Sequence, residues 1–138
     1  MTLVVKTYEA RHLSEVDALW REAFPHDAPR NHAASVVPKK IAAQPDLFVV
    51  AMEGDRVVGS ALAGYDGYRG WLYRVAVLKS HQRQGVGKLL VREVESRLQA
   101  LGCSKINLQI LGSNEKVAGF YRALGYEVEE RVSMGKAT

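Results

Sequence analysis

The stretch that most restricts the fold is "RGWLYRVAVLKSHQRQGVGKLLVREVESRLQALG", residues 69–102. Its first part is apolar and rich in β-branched and aromatic residues, the composition of a strand inside a sheet. Gly85 and Gly87 then stand one residue apart. After them Val86, Leu89, Leu90, Val94, Leu98 and Leu101 recur at helical spacing until Gly102 stops the pattern. A buried strand that runs through a glycine turn into an amphipathic helix demands a layered α/β protein, because each element must bury its apolar side against another.

The remaining segments fill in that layout. Leu3–Tyr8 reads as a first strand, and "LSEVDALWREAF" as a helix with Ser14 as N-cap. Pro25 to Pro45 holds all four prolines; Pro38 breaks any single regular helix there and is expected to start a short one through Gln44. "LFVVAMEGDRVVGSALAGY" predicts two strands joined at Gly54-Asp55. "KINLQI" predicts a strand, Asn114 to Leu124 a helix stopped at Gly125, and "YEVEERVSM" an alternating edge strand that closes the sheet. The expectation is a mixed α/β, α+β-like chain of about six strands and about four helices, forming one domain over residues 1–138.

Composition narrows the function. No apolar run approaches the ~18 residues of a membrane helix, and "MTLVVKTYEA" lacks a signal-peptide layout, so a cytoplasmic protein without membrane association is expected. Cys103 is the one cysteine, which excludes an internal disulfide and suits a buried thiol. The formal net charge is +4, and Lys79, His81, Arg83, Lys88 and Arg92 crowd around the glycine turn. A local cluster of this kind fits a compact anion better than a duplex. A repeated basic-aromatic stripe is missing, so no nucleic-acid partner is expected. No spacing of His, Cys, Asp or Glu resembles a metal site, and no metal is expected either.

Helix N-termini carry about half a positive charge in unpaired N–H groups, and glycine lets a phosphate come close to them. Two phosphate-cradle patterns fail at this turn. A P-loop requires Ser or Thr where Leu89 stands and glycine where Gln82 stands; a dinucleotide fingerprint requires its third glycine where Leu90 stands. What is left is Gln82-x-x-Gly85-x-Gly87.

That pattern resembles the Arg/Gln-x-x-Gly-x-Gly/Ala loop of the GNAT superfamily of N-acetyltransferases, and "VAVLKSHQR" is similar to the segment that leads into it. "NEKVAGFYRALGYEV" resembles the same family's C-terminal motif at Asn114, Ala118, Phe120-Tyr121 and Leu124-Gly125-Tyr126. "AGYDGYRGWLYRVAV" further resembles the small single-domain bacterial YpeA-like group. The resemblance covers Leu3 to Met134 and implies a GNAT fold, with a mostly antiparallel twisted sheet of about six to seven strands.

It also implies acetyl-CoA as co-substrate and a primary amine as acceptor. The pyrophosphate would lie on the amides of Gln82, Arg83, Gln84, Gly85, Val86, Gly87 and Lys88, with Lys88 and Arg92 within reach of phosphate. Ala76 and Val77 would offer backbone groups to the pantetheine arm, as when a peptide joins a sheet edge. Asn114 would contact that arm, or cap its helix, and Tyr121 would give a proton to the departing thiolate. Many family members carry a glutamate base on the central strand, but this one reads Trp71, Leu72, Tyr73, Arg74. Asp66 and Glu22 stand as candidates acting through water, though a carboxylate so placed is more often a plain surface charge. "FPHDAPRNH", with Phe24, His26, Asp27, Arg30 and His32, is expected to form one lip of the acceptor cleft, which Arg74, Tyr65 and Tyr73 could also face. The alternative to an enzyme is a catalytically silent acetyl-CoA-binding regulatory module. The alternating final strand also leaves room for a homodimer.

Overall fold

The computed structural model describes residues 2–111 and 114–138. They form two units, one ending at Leu108 and one beginning at Gln109. In the first, strands β1 (Leu3–Thr7), β2 (Phe48–Glu53), β3 (Arg56–Tyr65), β4 (Gly70–Val77) and β5 (Ile106–Asn107) lie side by side in that order. The first four pair antiparallel, and β5 joins β4 in parallel. The β2–β3 hairpin turns on Gly54 and Asp55, with Gly54 at φ +58°, where a side chain is disfavoured.

Helices cover both faces. Val16, Leu19 and Trp20 of α1 (Leu13–Ala23), with Ala33 and Val37 of α2 (Ala33–Ala43), pack with Phe48, Val50 and Met52 of β2. On the other face, Val86, Leu90, Val91, Val94 and Leu98 of α3 (Val86–Ala100) are fully buried. The approach is close: a Cβ on Gly59 of β3 would lie 2.9 Å from Leu90 Cδ1 and 3.0 Å from the Ala76 carbonyl. Leu101 and then Gly102, at φ +92°, end α3 as its sequence predicts, and Cys103 behind them is buried. The second unit contains α4 (Glu115–Ala123), with Asn114 as N-cap and Gly125 at φ +98° after it.

Four expectations need correction. The described residues carry five strands, not six or seven, because residues 127–138 adopt no strand. Alternation predicts a face but not a partner, and Val128, Val132 and Met134 are exposed. Of "KINLQI" only Ile106 and Asn107 form ladder positions, opposite Gly70 and Trp71. Pro38 lies inside α2 and does not start it. The interior proline costs about 3 kcal/mol in a helix, which burial of Ala33 and Val37 offsets together with side-chain bonds from Lys40 and Gln44 to β3. Finally, His12 and not Ser14 holds the N-cap position of α1, with no side-chain cap bond, because a 3₁₀ turn (Ala10–His12) feeds directly into the helix.

Candidate active site

The glycine turn leaves a helix end open. Gly85 is the N-cap of α3 at φ +82° and offers no side chain to cap it. The first helical bond runs from Leu89 N–H to the Gly85 carbonyl, 3.1 Å. The N–H groups of Val86, Gly87 and Lys88 therefore have no acceptor within the helix. Gln82, Arg83, Gln84, Gly85 and Lys88 are exposed around them. Arg83 is itself left-handed, at φ +62°, so the turn holds two such residues two apart. His81 departs from the expected basic cluster: it is buried, with Nε2 3.1 Å from Glu53 Oε1 and Nδ1 2.7 Å from Ser80 Oγ, and it ties the turn to the end of β2. Arg92 is engaged on its own helix, 2.9 Å from Glu95.

Beside this turn β4 has an open edge. Its two ladder positions with β5 end at Trp71, so its far side is unpaired beyond that point among the described residues. Leu78 N–H donates to Val58 O at 2.9 Å and so faces β3. Bonding directions alternate along an antiparallel ladder, so Val77 turns its N–H and C=O to the open side and Ala76 turns its own inward. The Val77 carbonyl receives one long bond, 3.5 Å from Gln82 Nε2.

In the second unit, Asn114 Oδ1 accepts from Val117 N–H at 3.3 Å, an N-cap. Tyr121 is buried, its ring edge-on to Phe120 at 4.9 Å and to Tyr126 at 5.7 Å. Burial pushes its phenol up to about 12.

Residues 13–126 match the model of the acetyltransferase (GNAT) family. The chain belongs to the GNAT family. An acetyltransferase of Sodalis glossinidius is 35% identical to it over 128 residues, 93% of this chain and 89% of that one. One from Yersinia pseudotuberculosis is 32% identical over 132 residues, 96% and 93% respectively. Among solved structures, this GNAT chain shares its fold with the PaiA N-acetyltransferase of Thermoplasma acidophilum in complex with coenzyme A. The TM-score is 0.85 at 16% identity, covering 96% of this chain and 94% of that one. The aminoglycoside N-acetyltransferase AAC(6')-Iy in complex with CoA gives a TM-score of 0.80 at 22% identity, covering 99% and 95%.

In this GNAT protein both candidate bases have structural work. Asp66 Oδ1 accepts from Tyr68 N–H and Arg69 N–H, each at 2.8 Å, and these bonds hold its carboxyl below the usual range. Glu22 accepts from Lys79 N–H at 3.0 Å and so fastens α1 to the start of the turn. His26, Arg30 and His32 are exposed, as is Tyr73.

The pairing that sequence reasoning missed is Arg74 with Asp27. Ser60 lies opposite Ala76 and Leu62 opposite Tyr73, so Arg74 and Val75 together face Ala61 alone, a β-bulge. Arg74 takes φ +51°, uncommon for a residue with a side chain. The bulge leaves its carbonyl outside the regular ladder, and Ser60 Oγ–H donates to it at 3.3 Å while accepting from Trp20 Nε1–H at 2.9 Å. The Arg74 guanidinium lies over Phe24 at 4.3 Å and Trp20 at 5.4 Å, and its Nη1 is 2.5 Å from Asp27 Oδ2. An arginine in an apolar strand is a signal that some carboxylate must meet it. Nothing local says that the partner stands 47 positions earlier.

Proposed function

We propose that this GNAT protein transfers the acetyl group of acetyl-CoA directly to a primary amine. The family match carries the reading, and the uncapped N-terminus of α3 beside the open edge of β4 supports it at the level of residues. CoA is a polyanion. Its pyrophosphate takes the free amides of Val86, Gly87 and Lys88, with Gln82, Arg83, Gln84 and Gly85 shaping the approach. The pantetheine arm runs back along β4 and bonds to the backbone of Val77, with Ala76 behind it, and Asn114 contacts the arm in addition to capping α4.

The neutral amine attacks the thioester carbonyl carbon, a C–N bond forms and the C–S bond breaks. The ammonium proton goes to water, and the thiolate is met by the Tyr121 hydroxyl. With its phenol at about 12 and a thiol near 8.5, complete proton transfer is uphill by about 5 kcal/mol. Tyr121 therefore acts first as a hydrogen-bond donor that stays protonated at every working pH. Without a strand carboxylate, the acceptor's own basicity matters. A lysine amine costs about 4–5 kcal/mol to deprotonate at pH 7, an α-amine about 1–1.4. A weakly basic amine is the better acceptor.

The second reading is a silent acetyl-CoA-binding regulatory module. It is favoured by one observation: Asp66 and Glu22 are both committed to backbone N–H groups. Thermal unfolding with acetyl-CoA, CoA, ATP and NAD, followed by an amine panel read as thiol release, separates the two. At 100 times Kd a ligand adds about 2.7 kcal/mol, a rise of roughly 5–15 °C. Stabilisation by both CoA forms with turnover supports the enzyme. Stabilisation without turnover of any amine supports the module, and no stabilisation by either CoA form removes both.

A further inference from the structure

We propose that Arg74 is the acceptor-specificity residue of this protein and that it selects amines that also carry a carboxylate. The inference rests on the acetyl-transfer reading, which lays the pantetheine arm from the glycine turn back along β4 and so brings the thioester end toward the bulge at Arg74 and Val75. Four acidic side chains of α1, the connection after it and the β3–β4 turn each hold a bond within the protein. Asp17 pairs with Arg21 at 2.9 Å, Glu22 accepts from Lys79 N–H, Asp66 closes its own turn, and Asp27 holds Arg74.

Arg74 is the opposite case. Its side chain is only 14% exposed, and among the described residues it donates through Nη1 alone, to Asp27. The Nε–Nη2 edge, the pair of parallel donors that matches a carboxylate bidentately, has no protein acceptor among those residues. Phe24 and Trp20 fix the plane of the guanidinium and strip water from it, which strengthens any charge-assisted bond it makes. Asp27 fixes its direction. Asp27, Trp20 and Phe24 also line a cavity of about 290 Å³ together with Asp17, Arg21 and His32, enough for the body of a small acceptor or the end of a peptide; Arg74 is not in that lining and is joined to it through its ion pair with Asp27. A half-enclosed arginine, stacked, aimed and unsaturated on its bidentate edge, is a receptor for a planar oxyanion.

The test uses matched acceptors: dipeptides and ω-amino acids, each with a free or an amidated carboxyl, so that the amine changes little within a pair. Turnover with acetyl-CoA is read as thiol release, and acceptor binding is read separately by titrating tryptophan fluorescence, since Trp20 lies beside Arg74. The free carboxyl should be preferred by about tenfold or more in kcat/KM or in Kd, the worth of one charge-assisted bond. Arg74→Met should erase the preference and Arg74→Lys should keep only part of it, with the acetyl-CoA thermal shift unchanged in both. Equal treatment of the two members of each pair, or a preference that survives Arg74→Met, overturns the proposal, as does a chain that neither binds nor acetylates any carboxylate member. A chain that discriminates carboxyl from amide but is not stabilised by acetyl-CoA overturns the acetyl-transfer reading instead.

Discussion

The glycine turn and the proposed acceptor lip are built in opposite ways. The turn is made of backbone: consecutive residues, two left-handed positions and a helix end without a side-chain cap. The lip is made of side chains. Arg74 from a bulged strand, Trp20 and Phe24 from α1 and its end, and Asp27 from the connection after it meet only once the chain has folded. The difference separates what is general in this protein from what is particular. A polyphosphate can be bound by amides that every residue possesses, whereas choosing one amine among many needs side chains brought from a distance.

The largest effect should come from breaking the turn alone. Gly87→Glu puts a carboxylate among the free amides, while glutamate near a helix N-terminus favours the helix itself. Acetyl-CoA affinity by calorimetry should fall roughly 100-fold or more, the loss of two charge-assisted bonds, with the ligand-free unfolding midpoint held or raised. Undiminished affinity in a folded variant would remove the turn from the cofactor site.

Tyr121→Phe tests a residue in neither region. Turnover should drop by about 10²-fold, the low end for a proton donor, with acetyl-CoA affinity retained. Because burial holds the phenol at about 12, the parent should show no loss of rate from tyrosine ionisation as pH rises to 10. A variant as fast as the parent would take the thiolate role from Tyr121.

The lip can be loosened without touching the turn. Lys40 Nζ donates to the Ala63 carbonyl, and burial lowers its affinity for the proton. Lys40→Met leaves that carbonyl unpaired and should cost about 1–3 kcal/mol in urea unfolding. An unchanged midpoint would show that water replaces the lysine at no cost.

The smallest effect belongs to His12, outside both regions. Its Nδ1 accepts from Glu9 N–H at 3.0 Å, and burial, then the neighbouring Arg11, lowers its pKa below 6.5. The unfolded chain therefore takes up the proton first as pH falls through 6.5. Stability present above that value is lost progressively until the folded pKa is passed. His12→Asn should flatten the midpoint-against-pH curve between pH 7.5 and 5.5; a slope equal to the parent's would place its origin elsewhere.

What sequence reveals follows the same division. The strand–turn–helix unit, the Gly54-Asp55 hairpin, the Gly102 and Gly125 stops and the Asn114 cap are all local, and each residue carries its own reason. Where pattern misled, the missing information was a partner. "YEVEERVSM" alternates like a strand without pairing as one, Pro38 is held inside a helix by contacts elsewhere, and Glu22 finds a backbone N–H 57 positions away, whereas Asp66 closes a local turn of the kind an Asp-Gly pair signals. Arg74 and Asp27 were each visible, but not to one another.

One bond pattern has a wider reach. β2 ends at Phe48, opposite Leu62, so β3 runs three residues past its neighbour on that side. There the Gln44 amide donates to Tyr65 O at 2.9 Å and accepts from Tyr65 N–H at 3.2 Å, the exchange a paired strand residue would make. A side chain thus stands in for the missing backbone. With Asp27 gripping Arg74 at one end and Lys40 and Gln44 gripping β3 at the other, the segment that holds all four prolines is moored twice. Its disorder is surrendered during folding, so under the proposed function an amine that fits would bind without an ordering cost. On the same reading, a segment moored at both ends would favour a narrow choice of acceptor.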